Sequence, residues 1–214
     1  FFPDNSSIIS DNSSQDVFLS KLDSDGNSLW KTNIIHGNSK EQLGAMICDE
    51  NDNLLMTGFF DTEAVIDTSE AVINGDANDP FLIKIDRNTN VQWANSYSAD
   101  QNITRILNLL YYEGDYYVNG RFNGNLTTDL GTISSNTSSS TDIFLYKINS
   151  AGVGKWLRRS YGDNVDTPGN IEGDPYGNVY FTGYYISSNM SIDSITGTVS
   201  SKSLVNQGNW DLFM

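Results

Sequence analysis

The chain has 214 residues, 38% hydrophobic and 18% charged, with 27 acidic against 12 basic side chains and a formal net charge of -15. This is the composition of one globular unit, which can bury roughly 70% of the surface its unfolded form exposes, and it excludes disorder driven by charge. The negative excess disfavours phosphate backbones and anionic headgroups as partners, no apolar run approaches the roughly eighteen residues of a membrane span, and the single cysteine, Cys48, excludes an intrachain disulfide or a cysteine-built zinc cluster.

Read from the N-terminus, the chain repeats itself. Phe1-Phe2 match the end of one copy, and Asp16-Val17-Phe18-Leu19-Ser20-Lys21-Leu22-Asp23 opens the next landmark. It returns as Asp79-Pro80-Phe81-Leu82-Ile83-Lys84-Ile85-Asp86 and as Asp142-Ile143-Phe144-Leu145-Tyr146-Lys147-Ile148-Asn149, at steps of 63 and 63, and begins again at Asp211 after a step of 69. Fourteen residues beyond each of the first three opening aspartates stands a tryptophan: Trp30, Trp93 and Trp156. A second block closes on a glycine and aromatics: Met56-Thr57-Gly58-Phe59-Phe60, Val118-Asn119-Gly120-Arg121-Phe122 and Phe181-Thr182-Gly183-Tyr184-Tyr185. Between these blocks lie Asp/Asn/Gly turns such as Asp23-Ser24-Asp25-Gly26-Asn27 and Asp174-Pro175-Tyr176-Gly177-Asn178. Short β-branched and aromatic runs broken by such turns predict antiparallel hairpins, and no window holds a helical period. Fixed self-similarity over about sixty residues, with four runs per copy, predicts an all-β chain of four-stranded antiparallel β-propeller blades, each burying its faces against its neighbours.

The order of an Asp-x-Phe-x-x-Lys strand, a Trp strand, an Asp-turn-Gly-Asn hairpin and a Tyr-x-Thr-Gly-aromatic segment resembles the bacterial seven-bladed SBBP β-propeller repeat. Gly177-Asn178-Val179-Tyr180-Phe181-Thr182-Gly183 matches most closely; Asn53 to Gly58 and Asp115 to Gly120 are looser. By analogy with related propellers, the innermost strands fall near Gly44–Asp49, Ile106–Tyr111 and Gly169–Asp174. The second strands end at Gly58, Gly120 and Gly183, and the outer strands carry the tryptophans. The domain reading is then a partial blade over 1–42, blades over 43–105 and 106–168, and a partial blade over 169–214. About three and a half blades do not close a ring of about four to eight. The expectation is a part of a larger closed propeller, its remainder supplied by the same chain or by another protomer.

Candidate chemistry is sparse. Asp23, Asp25 and Asn27 place oxygen donors on one tight turn, the donor type calcium takes, but the matching turns at 86–90 and 149–152 lack the second carboxylate, so a plain hairpin turn is the better reading. Lys21, Lys84 and Lys147 share a repeat frame with Asp16, Asp79 and Asp142, which predicts one ion pair per unit. The repeated tryptophans read as packing between blades. Tyr111, Tyr112, Tyr116 and Tyr117 occur in one blade only, flank the turn Glu113-Gly114-Asp115, and are the candidate ligand contacts at a rim. His36, the only histidine, reads as a turn residue, and no nucleophile-base set is recognisable. Six Asn-x-Ser/Thr sequons, at Asn5, Asn12, Asn102, Asn125, Asn136 and Asn189, are about what chance yields in so Asn- and Ser-rich a chain.

The functional expectation is a non-catalytic, extracellular or cell-surface module that binds protein or glycan, or scaffolds, without a cofactor. The segments 61–78, 123–141 and 186–210 vary most and read as loops a binding module would vary. Two other expectations stand beside it: part of a propeller polysaccharide hydrolase or lyase using paired carboxylates across a channel, and an assembly subunit of a surface appendage. Low cysteine with high Asn and Ser suits export, which the family resemblance also implies.

Overall fold

The computed structural model describes residues 8, 15–37, 40–66, 71–76, 78–100, 104–194 and 203–213. Phe1-Phe2 and the sequons at Asn5, Asn12 and Asn102 lie outside them. The strands are β1 (Val17–Leu22), β2 (Ser28–His36), β3 (Glu41–Cys48), β4 (Leu54–Phe60), β5 (Glu63–Ile66), β6 (Ala71–Asn74), β7 (Asp79–Ile85), β8 (Val91–Ser96), β9 (Ser98–Ala99) and β10 (Arg105–Tyr112). They continue as β11 (Asp115–Phe122), β12 (Asn125–Thr128), β13 (Gly131–Ser134), β14 (Asp142–Asn149), β15 (Gly154–Tyr161), β16 (Asp166–Gly173), β17 (Val179–Tyr185), β18 (Asn189–Ser194), β19 (Ser203–Val205) and β20 (Asp211–Phe213).

The sequence period is the structural period. One unit is the antiparallel sheet β3-β4-β7-β8, the next is β10-β11-β14-β15, the last described is β16-β17-β20, and the first contributes β1-β2. The sheets are blade-like and all antiparallel, and no sheet closes on itself among the described residues. The predicted strand order holds. The Asp-x-Phe-x-x-Lys copies form β1, β7 and β14, the tryptophans sit on β2, β8 and β15, and the strands that precede the Asp-rich turns, β3, β10 and β16, form one edge of each sheet.

Residue parity explains why the repeat motif is apolar on both sides. Along β7, Phe81, Ile83 and Ile85 pack with Val17, Leu19, Ile34 and Ile35 of the preceding unit, while Leu82 packs with Ile106, Tyr116 and Phe144 of the following one. β14 does the same one repeat later: Phe144 faces back and Leu145 faces Ile171 of the fourth unit. Successive side chains point to opposite faces of a strand, so a strand sandwiched between two sheets must be apolar at both parities. The repeated glycines serve this packing: a Cβ on Gly58 would stand 1.9 Å from the Gln42 carbonyl and 2.6 Å from the Phe81 ring, and one on Gly120 would stand 2.1 Å from the Arg105 carbonyl and 2.6 Å from Phe144.

The segments expected to be variable loops are different. Residues 61–78, 123–141 and 186–210 carry the hairpins β5–β6, β12–β13 and β18–β19, and each pairs with the unit before it: β5 with β2, β12 with β9, the short extension that follows β8, and β18 with β15. β5–β6 and β18–β19 thus extend the outer edge of the neighbouring sheet, at β2 and β15, whereas β12–β13 forms a small separate sheet with β9. At the start of the second and the fourth unit a second stitch appears, as the isolated parallel bridges Gln15↔Lys40 and Thr141↔Val165, with Glu41 N–H donating to the Gln15 carbonyl (2.9 Å) and Asp166 N–H to that of Thr141 (2.7 Å). All three hairpins lie at one end of the sheets, and the Asp-rich turns lie at the other.

Candidate functional site at the turn rim

The turn end is built by one local device. Asp23 Oδ1 accepts the N–H groups of Asp25 and Asn27, both at 2.9 Å, and Asn27 Nδ2 donates to Asp23 Oδ2 at 3.0 Å. Asp49 with Asn51 and Asn53, Asp86 with Asn88 and Asn90, and Asp174 with Tyr176 and Asn178 repeat it. A side chain that caps its own turn satisfies the donors a tight reversal leaves over. At Asp174 the donation from Asn178, followed by those of backbone and Tyr180, holds the carboxyl down to about 2 despite burial. Of the expected calcium donors, Asp23 therefore has its carboxylate engaged by its own turn, and Asn27 directs its amide nitrogen, not its carbonyl, at it.

The four candidate tyrosines surround the exceptional turn. Glu113 and Gly114 have φ of 52° and 81° and join β10 to β11 as a two-residue hairpin, with Tyr111 opposite Tyr116 and Tyr112 opposite Asp115. Tyr116 and Tyr117 are buried, whereas Tyr111 and Tyr112 are half-buried. Tyr116 donates its hydroxyl to Asp49 Oδ2 of the preceding unit at 2.6 Å and lies under Lys84, whose Nζ is 5.2 Å from its ring centre. Tyr117 lies edge-on to Trp156 at 5.9 Å and under Lys147. Tyr112 donates to the Asp174 carbonyl and accepts from Gly177 N–H at 3.0 Å, bridging to the turn of the next unit. Tyr111 stacks at 5.1 Å on Tyr116; burial, then its hydrogen bond with Glu50, pushes its phenol up to about 12. The rim thus offers two tyrosine faces, the carboxylates of Glu50 and Glu113, and Tyr176, which is 86% exposed on the adjoining turn. Aromatic faces beside carboxylates have the chemistry for stacking and for accepting hydrogen bonds.

The expected pairing of Lys21, Lys84 and Lys147 with Asp16, Asp79 and Asp142 is corrected. Lysine and aspartate stand at opposite ends of the same strand, too far apart along it to meet. Lys84 pairs instead with Asp49 at 3.3 Å and donates to the Ser150 carbonyl of the next unit at 3.2 Å; Lys147 pairs with Asp115 at 3.0 Å, and Lys155 joins it at 2.6 Å. The opening aspartates are cross-links at the hairpin end. Asp79 accepts from the N–H groups of Asp76 (2.8 Å) and Ala99 (2.9 Å), and Asp142 from those of Asn136 (2.7 Å) and Gly162 (3.1 Å). Burial pushes the Asp142 carboxyl up to about 6. His36, expected in a turn, is the last residue of β2.

Sequence reasoning missed one recurrent feature. At the head of the first strand of each unit stand Glu41, which opens β3, Thr104, the residue just before β10, and Asp166, which opens β16; each is buried with a side-chain oxygen that has no hydrogen-bond partner. Burial, then the neighbouring carboxylates Asp16 and Asp61, pushes Glu41 up to about 7; burial, with Asp142 and Asp163 nearby, does the same for Asp166. The position could not be found from residue type, because the three copies share no identity there. Among the described residues, no group of three or more His, Cys, Asp and Glu side chains is placed to hold a metal ion. Neither the comparison with protein-family models nor that with curated proteins finds a match to this chain.

Proposed function

We propose that the chain is a segment of an extracellular or cell-surface β-propeller that acts as a non-catalytic binding module, with the turn rim around Tyr111 and Tyr112 as its contact surface for a glycan or a cationic protein patch. The observation that carries this reading is the division of labour between the two ends of the sheets. The hairpin end is consumed in stitching one unit to the next, whereas the turn end, although Tyr112 and Tyr116 bridge units there, leaves Glu50, Glu113 and Tyr176 exposed beside the half-buried Tyr111 and Tyr112. Aromatic faces beside carboxylates suit sugar rings and basic side chains, and a net charge of -15 favours the same partners.

The test is titration of the chain with neutral hexasaccharides of several linkages and with an oligolysine peptide, followed by calorimetry. A saturable ligand whose affinity falls at least tenfold in Tyr111→Ala and in Tyr176→Ala supports the rim. Equal binding by wild type and both variants removes it, and release of reducing ends from the saccharides would replace the binding module with a hydrolase.

A further inference from the structure

One strand of the repeat lacks what its equivalents have. β7 and β14 are each flanked on both sides, whereas β1 pairs only with β2 and leaves its other edge open among the described residues. The equivalents show what belongs there. Phe81 lies opposite Gly58, Phe144 opposite Gly120 and Phe213 opposite Gly183, each ring so close that a Cβ on the glycine would meet it at 2.5–2.6 Å. These phenylalanines are 0%, 3% and 8% exposed; Phe18, at the same place on β1, is 64% exposed. Lys84 and Lys147 each meet an aspartate at the turn end of the neighbouring hairpin. Lys21 is exposed and has no carboxylate partner among the described residues. Leu43 and Met46 of β3 are exposed as well, while Ile106, equivalent to Leu43, is buried beside β3. Clefts of about 540 and 460 Å³ border this edge, the first lined by Lys21, Trp30 and Met46 and the second by Phe18, Glu41 and Leu43.

We propose that the edge of β1 left open among the described residues is the seat of a β-hairpin from a further repeat of this same type. The hairpin's second strand runs antiparallel to β1, with its glycine opposite Phe18 and its following second aromatic opposite Asp16, and its turn offers a carboxylate to Lys21. The register copies Gly58↔Phe81 and Phe60↔Asp79. A glycine is required because the phenylalanine ring occupies the space of a Cβ, and an acidic turn is required because the cation is otherwise left at a covered edge. The inference rests on the blade reading but not on the rim ligand.

The experiment uses the peptide of residues 165–186, which spans β16 and β17 and contains no tryptophan, so that Trp30 in the cleft reports its arrival by fluorescence alongside calorimetry. Saturable one-to-one binding is expected, weakened at least tenfold by Gly183→Val in the peptide and by Phe18→Ser or Lys21→Glu in the protein, and unchanged by Leu212→Ser on β20. The proposal is overturned by the absence of saturation at 500 µM peptide, by indifference to Gly183→Val, or by dependence on Leu212 in place of Phe18. Light scattering adds a further arm: a dimer that Phe18→Ser dissolves places a second copy's hairpin in the seat and supports it, and a dimer that survives Phe18→Ser overturns it. Failure here with rim binding intact retracts the hairpin alone; the reverse result retracts the ligand alone.

Discussion

The joint between the second and third units and the joint between the third and fourth are made from the same repeat frame, yet they are held differently. At the former, Lys84 reaches across. It pairs with Asp49 of its own unit, donates to the Ser150 carbonyl of the next and lies over the Tyr116 ring, while Tyr116 donates back to Asp49 and Trp93 donates to the same carbonyl at 3.0 Å. At the latter, Lys147 stays with Asp115 and Tyr117 of its own sheet, and the crossing at the turn end is made by Tyr112 and by apolar contacts of Trp156 and Leu145 with the fourth unit, while further along the strands Asn108 and Asn119 donate to the Gly169 carbonyl. The cause is one turn. In the second unit Asp49 and Asn53 bracket three residues; in the third, Tyr112 and Asp115 bracket two, so a tyrosine occupies the aspartate's place and the aspartate occupies the asparagine's. One residue fewer in a turn thus changes the bond between units from a shared buried charge to a tyrosine hydroxyl and packing.

The largest test of this contrast is removal of each lysine. Lys84→Ala leaves Asp49 buried without its cation and is expected to cost about 3–5 kcal/mol in chemical denaturation. Lys147→Ala is expected to cost about 1–2 kcal/mol, because Lys155 still faces Asp115. Equal losses would show that the two joints are equivalent. Next come the hydroxyls. Tyr116→Phe removes a donor to a carboxylate and is expected to cost about 1.5–3 kcal/mol, against about 0.5–1.5 kcal/mol for Tyr112→Phe, whose partners are uncharged backbone groups.

Acidity separates the joints further. Although burial pushes the Asp49 carboxyl up, the hydrogen bonds from Tyr116 and Asn53 outweigh it and hold the group well below the usual carboxylate range. Its contribution is present above the unfolded value near 4 and is lost as pH falls below that. Glu41 and Asp166 are raised to about 7 and Asp142 to about 6, so their contribution is fully present below pH about 4 and is lost as pH climbs from there through 6–7. The two senses together predict a higher Tm at pH 5 than at pH 8, and Glu41→Gln should raise the Tm at pH 8, change it little at pH 5 and so flatten the profile. A Tm that rises from pH 5 to pH 8 would contradict the buried carboxyls. The smallest effect belongs to the turn itself: Gly114→Ala forces an alanine to φ near 81° and is expected to cost about 1 kcal/mol, whereas Asp52→Gly, at a φ of 62°, is expected to be neutral or slightly stabilising.

Much of the fold was legible from residue types alone. The 63-residue step of Asp-x-Phe-x-x-Lys, the tryptophan fourteen residues on, and the Gly-aromatic block each returned as a strand in the expected order. The hairpins β5–β6, β12–β13 and β18–β19 look like loops in sequence, because they share no motif and their pairing partner lies in another unit. Of the four candidate tyrosines, the place of Tyr111 and Tyr112 beside the turn followed from the sequence, but the burial of Tyr116 and Tyr117 did not. Alternation sends facing residues of a hairpin to the same side, yet only the neighbouring sheet decides which side is covered.

What the sequence determined by itself is the repeat: strand identity, the Asp turns and the recurring glycines over which the phenylalanines lie, all set by local pairing and side-chain volume; the order of the strands came from the likeness to related propellers. The tertiary structure alone decided which aspartate each lysine meets, which hairpin pairs with which strand, and which carboxyl oxygens are buried without a partner. Those are contacts between units, and a residue's partner across such a joint depends on stacking and turn length, which no single repeat encodes.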